Sequence, residues 1–122
     1  DEVYPKENEG LQNLIAKNHL LISQVPFYRY KIEPFNAHKL YFPRRNATMA
    51  AISEGTVIVE ASDTSGTLIQ ARACIQQGKK LFILESCFKN PNISWPSHYL
   101  KLGAIKISST QDILDHLLLN KF

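Results

Sequence analysis

The spacing of apolar residues alternates along the chain between short continuous runs and a three-to-four repeat. Residues 56–60 read TVIVE, a β-branched run with the composition of a buried strand. Residues 61–66 hold Ser, Asp, Thr, Ser and Gly, which is turn chemistry. Leu68, Ala71 and Ile75 then predict a helix with one buried face, ended by Gly78, and a strand follows at 81–84. Upstream, Asn8 is expected to cap a helix running to about residue 18, with Leu11, Leu14 and Ile15 on one face. Residues 20–23, LLIS, read as a strand. Residues 24–46 carry Pro26, Pro34 and Pro43 without a clean period and are expected to be a long connection. A helix over residues 46–52 leads into the 56–60 strand. Downstream, 86–96 reads as loop, 96–102 as one or two helical turns stopped by Gly103, and 104–107 as a fourth strand. Thr110 is expected to cap a last helix with Ile113, Leu114, Leu117 and Leu118 as its apolar stripe. The alternation predicts the α/β class, a parallel sheet with helices on both faces.

Composition changes this picture little. A chain of 122 residues, 44% hydrophobic, suits one small domain over residues 1–122. No apolar run approaches the roughly 20 residues a membrane span needs, and the acidic, polar first residues are not a secretory signal. Cys74 and Cys87 are too few for a disulfide framework, so a cytoplasmic location is expected. His19, His38, His98 and His116 show no metal-ligand spacing, and Ser65 sits in no GxSxG elbow. No metal, cofactor or catalytic residue is therefore expected.

The net charge of +3 is mild, but its distribution is uneven. Residues 27–45 hold Arg29, Lys31, Lys39, Arg44 and Arg45 together with Phe27, Tyr28, Tyr30, Phe35, Tyr41 and Phe42, against one acid, Glu33. Cations interleaved with rings suit single-stranded nucleic acid, phosphates on the former and bases on the latter. The competing reading is a satellite core of rings with the charges merely solvated. The turn at residues 61–66 lies at the carboxyl end of a strand, where open α/β sheets bind ligands. Ser65, Gly66 and Thr67 stand at the following helix start, whose free N–H groups favour an anion. Arg44, Arg45 and Asn46 precede the strand, so the long connection is expected to fold over the same sheet edge. Glu60 either orients one of those arginines or accepts from nearby N–H groups. Trp95 is expected in the core.

Taken in order, YP-x-x-N, LLIS-x-x-P, FPRRN, VIVEA, SGTLIQA and GAIKI resemble the DprA/Smf DNA-processing family. The motifs lie at Tyr4, Pro5 and Asn8, at residues 21–26, 42–53, 57–61 and 65–71, and at Gly103 and Ala104. The resemblance implies a three-layer Rossmann-like fold that binds single-stranded DNA, assists a RecA-type recombinase in natural transformation and forms a homodimer. By matching position it assigns Arg44, Arg45 and Asn46 to the family's basic segment and Ser65, Gly66 and Thr67 to its phosphate-facing turn. Ala47 stands where the family has a second Arg, Gln24 where it has Glu, and Glu85 and Ser86 where it has Pro-Gly. It also implies an earlier strand and a Gly-Ser-Arg turn upstream of Asp1, so the sheet is expected to lack its first strands and to leave an apolar edge open. Two other classes stay open. One is a nucleotide-binding or nucleotide-sensing module; the phosphoribohydrolases of related fold carry PGGxGT where this chain has DTSGT. The other is a structural dimerisation module.

Overall fold

The computed structural model describes residues 3–119, and the chain divides after Ile32 into two units. In the first unit a 3-10 turn, Lys6–Asn8, leads into α1 (Glu9–Asn18), and α2 (Phe27–Ile32) follows. Asn8 occupies the cap position of α1, although its side chain makes no cap hydrogen bond. Leu11 and Leu14 are exposed. Residues 20–23 are not the expected strand: they carry no regular structure, and Leu20, Leu21 and Ile22 are exposed. A strand exists through its ladder, and the described residues of this unit hold no second strand to pair with LLIS.

The second unit runs α3 (Phe35–His38), α4 (Tyr41–Ile52), β1 (Gly55–Ile58), α5 (Thr67–Gln76), β2 (Lys80–Leu84), α6 (Glu85–Lys89), α7 (Trp95–Lys101), β3 (Ile105–Ile107) and α8 (Thr110–Leu118). The expected long connection is thus largely helical. Its prolines do not break helices because they stand at helix starts: Pro26 just before α2, Pro34 at the cap of α3, and Pro43 third in α4. There the missing N–H has no helical acceptor to lose. For the same reason α4 begins at Tyr41 rather than near residue 46. The expected loop at 86–96 likewise opens with α6, a single helical turn. Ser109, not Thr110, caps α8. Its hydroxyl accepts from the Asp112 N–H at 3.3 Å while the Asp112 carboxylate accepts from the Ser109 N–H at 2.9 Å.

The strands form one parallel sheet in the order β1-β2-β3. Register pairs Thr56 with Leu81 and Ile58 with Ile83, which therefore share a face. Ala71 and Cys74 of α5, Ala50 of α4, and Trp95 and Tyr99 of α7 close over that face in one buried cluster with Ile58, Leu81 and Ile83. Each large side chain buried there contributes about 1.5–3 kcal/mol. Phe82 points to the opposite face, its ring 6.0 Å from the ring of His116 in α8, and the Lys80 ammonium donates to the His116 carbonyl near the end of α8. Helices therefore cover both faces, the three-layer arrangement of a Rossmann-like fold. The cover thins towards β1, where Val57 is 44% and Val59 62% exposed. Gly78, at φ +67°, turns the chain out of α5 into β2, with the Lys79 N–H donating back to the Cys74 carbonyl at 2.9 Å.

Candidate functional site

The loop from β1 to α5 leaves the carboxyl end of the sheet and is pinned from the far side by α7. The Trp95 indole N–H donates to the Ala61 carbonyl at 2.9 Å. The Asp63 carboxylate accepts from the Ser94 N–H at 2.9 Å, the Trp95 N–H at 3.1 Å and the Ser94 hydroxyl at 3.3 Å. Asp63 thus caps α7 from 31 residues upstream, since Ser94 itself makes no side-chain cap. The Ser94 N–H above all holds the Asp63 carboxyl below the usual carboxylate range, helped by the Trp95 N–H and the Ser94 hydroxyl against a partial desolvation acting the other way. The sequence reading missed Asp63 and Ser94. An Asp in a turn signals a hydrogen-bonding carboxylate, but only folding reveals that its partners sit on another helix.

Fixed in this way, the turn presents the start of α5. The Ser65 N–H donates to the Ser62 carbonyl at 3.1 Å, and the Ser65 Oγ accepts from the Thr67 N–H at 3.2 Å. The Ser65 O–H keeps its proton for a further acceptor. Thr67 is exposed, and a Cβ built on Gly66 would meet nothing within 4 Å, so the approach to this turn is open.

Beside it lies α4. The Asn46 side-chain amide donates to the Gly66 carbonyl at 3.5 Å, and Gln77 at the far end of α5 donates to the Ala47 carbonyl at 3.0 Å. With Ala50 buried, Asn46, Ala47 and Ala50 form the face of α4 that packs on α5. Arg44 and Arg45 are exposed, and at about 100° per residue they stand roughly 120° and 140° around the helix from Ala50. The Arg45 guanidinium lies over the Phe42 ring, 5.3 Å from its centroid. Of the six predicted site residues the structure therefore joins Asn46 to Gly66. The arginines share the helical turn of Asn46, and among the described residues neither guanidinium hydrogen-bonds to residues 65–67.

The rings of the aromatic stretch divide between the two readings. Tyr41 is buried, stacked on His38 at 5.6 Å, and its hydroxyl donates to Glu33. Phe35 and Phe42 remain 77% and 57% exposed, and Tyr28 in the first unit 75%. Glu60 pairs with neither arginine among the described residues; it lines a crevice at the carboxyl ends of β1 and β2. Trp95 is in the core, as expected. Cys74 and Cys87 are buried, their thiols donating to the carbonyls of Lys80 and Val59, and burial pushes both thiols up. Among the described residues no His, Cys, Asp and Glu cluster could hold a metal ion, and no helix is long and apolar enough to cross a membrane.

With this geometry in hand, the family model of DNA recombination-mediator protein A matches residues 1–118. The chain is 32% identical over 115 residues to the DNA processing protein DprA of Bacillus subtilis, covering 94% of this chain and 37% of that one. It is 31% identical over 116 residues to the protein Smf of Escherichia coli, covering 94% and 29%. Among solved structures, the DNA processing protein A of Streptococcus pneumoniae superposes with a TM-score of 0.72 at 30% identity, covering 94% and 38%. The Helicobacter pylori DNA processing protein A, described for its single-stranded DNA binding mode, shares the fold with a TM-score of 0.64 at 24% identity, covering 98% and 53%. The chain thus spans little more than a third of the Bacillus subtilis relative.

Proposed function

Since the chain belongs to the DprA/Smf family of DNA recombination-mediator proteins, we propose that it binds single-stranded DNA through α4 and the start of α5 and catalyses no reaction on it. The observation that carries this reading is the Asn46–Gly66 hydrogen bond, which sets the basic turn of α4 beside the Ser65-Gly66-Thr67 turn. In this reading Arg44 and Arg45 neutralise successive phosphates, Asn46 keeps α4 in register with the turn, and the Ser65 and Thr67 hydroxyls donate to a phosphate oxygen between them. Exposed Phe42 and Phe35 are available for stacking on bases. A Helicobacter pylori protein of the same fold that binds single-stranded DNA supports the ligand class. The whole protein would then assist a RecA-type recombinase as a homodimer, a role supported by the family's description as a recombination mediator.

Fluorescence anisotropy with an oligo-dT strand tests the site. Affinity should fall with salt at a log–log slope of about −0.7 per phosphate contacted. Arg44→Glu with Arg45→Glu should abolish binding while leaving the circular dichroism unchanged, because both side chains are exposed. Unchanged affinity in that double variant rejects the assignment. Tight binding of free nucleotides with none of oligo-dT would favour a nucleotide-sensing module instead, and a monomeric solution mass would count against the homodimer.

A further inference from the structure

The crevice at the carboxyl ends of β1 and β2 has a volume of about 580 Å³ and is lined by Val59, Glu60, Ser62, Ser86, Asn92 and Ile93 among others. Its chemistry is the reverse of the arginine face. Its lining includes no Lys or Arg and carries the Glu60 carboxylate, which disfavours a phosphate. Several of its polar groups are already engaged: the Asp63 carboxylate with Ser94 and Trp95, the Ser62 hydroxyl with that of Thr64, the Cys87 thiol with the Val59 carbonyl, and the Asn90 side-chain Oδ1 with the Asn92 N–H. The Glu60 carboxylate is exposed, and among the described residues nothing donates to it. Of the two carboxylates in the lining Asp63 is engaged, and among the described residues no His, Cys, Asp and Glu cluster could hold a metal ion here. Val59 and Ile93 supply apolar walls, and residues 59–63 run directly into the Ser65-Gly66-Thr67 turn.

We infer that this crevice receives a nucleobase of the bound strand and favours guanine, whose two adjacent N–H donors match the two oxygens of Glu60. The inference rests on the single-stranded DNA reading of α4 and the turn, which supplies the sugar-phosphate. A carboxylate accepts two parallel hydrogen bonds from the guanine N1–H and N2–H, a charge-assisted bidentate pair. Thymine presents its single N–H between two carbonyl oxygens, which the carboxylate repels. Adenine and cytosine each present one amino donor beside an acceptor. The Ser86 hydroxyl and the Asn92 side-chain amide line the crevice beside the remaining ring edge, whereas the Ser62 hydroxyl is already paired with that of Thr64 at 3.4 Å.

The test compares, by anisotropy, an all-dT 12-mer with the same strand carrying one central guanine, hypoxanthine or adenine. The guanine strand should bind about tenfold more tightly than all-dT, the scale of one good bidentate pair. Hypoxanthine, which lacks the N2 amino group, should fall between, and adenine should stay near dT. Glu60→Gln should bring the guanine-to-dT ratio close to one, because an amide cannot offer two acceptor oxygens to the guanine edge. Ser86→Tyr, at an exposed position of the lining, should remove the preference by filling the crevice. Equal affinities for all four strands, or a preference that survives Glu60→Gln, overturn the inference and leave the DNA reading standing. If no strand binds, deoxyguanosine titrated into labelled protein decides: shifts at Glu60 and Asn92 absent with thymidine keep the crevice and reject the DNA reading, whereas no shifts reject both.

Discussion

Asp63 shows how one residue fixes a whole loop. Its carboxylate ties the β1–α5 loop to the start of α7, and the turn bearing Ser65 to Thr67 follows within two residues. The carboxyl is held below its unfolded value. Its contribution is therefore complete above the unfolded pKa of about 3.9 and fades as pH falls through the lower folded value. Asp63→Asn is expected to lower the melting temperature at pH 7, and the gap to the parent protein should shrink below about pH 4 as the parent carboxylate protonates. Thermal melts of both proteins between pH 3 and pH 7 check this, and a gap independent of pH would exclude the carboxylate as its source. Glycine at position 66 answers a different need. Its φ of −59° is ordinary for any residue and a Cβ there meets nothing, so the fold does not demand glycine at this position. Gly66 stands at the N-cap of α5, a position that favours glycine.

At the scale of elements, the helices of the second unit begin where local chemistry permits rather than where hydrophobic period announces them. Pro43 is third in α4, a position with no intrahelical acceptor for an N–H, so Pro43→Ala should change stability by no more than about 0.5 kcal/mol. Ser109→Ala removes half of a formed capping box and should cost about 1 kcal/mol. Urea midpoints of the two variants compare the positions directly. A larger loss for Pro43→Ala than for Ser109→Ala would contradict this account of how α4 and α8 start. One helix, α4, carries both a packed face, Asn46, Ala47 and Ala50, and the exposed Arg44 and Arg45. Packing on α5 thus fixes where its cations stand.

Over the whole molecule, the sheet has a graded stability. β2 is flanked on both sides, its Leu81, Phe82 and Ile83 are at most 1% exposed, and α5 and α8 lie over its two faces. β1 pairs on one side among the described strands, with Val57 and Val59 partly bare. Native-state hydrogen exchange should therefore find the slowest amides at residues 81–84, exchanging only on global opening, with those of β1 faster. Equal protection in β1 and β2 would show that β1 gains a second partner in solution. The proposed ligand surface follows the same geography. Cations, the helix start and the Glu60 crevice all lie on helix α4 or at the carboxyl ends of strands, where the chain turns and backbone groups are free.

The amino-acid sequence alone determined the βαβ core. The run at residues 56–60, of which 56–58 lie in β1, the turn that follows, the Leu68-Ala71-Ile75 spacing and Gly78 are local signals, readable because strand, turn and helix differ in composition and period. The ordered motifs determined the family for the same reason, each being a short contiguous stretch. Only the tertiary structure decided that LLIS is no strand in its own unit, that a proline-rich connection is helical, and that Asp63 caps a helix 31 residues away. Those outcomes depend on partners remote in sequence: a ladder strand, an unused helical acceptor, a free N–H on another element. The candidate site divides in the same way. Its residue types were legible along the chain, but the junction of Asn46 with Gly66 and the outward stance of Arg44 and Arg45 follow from how α4 packs on α5.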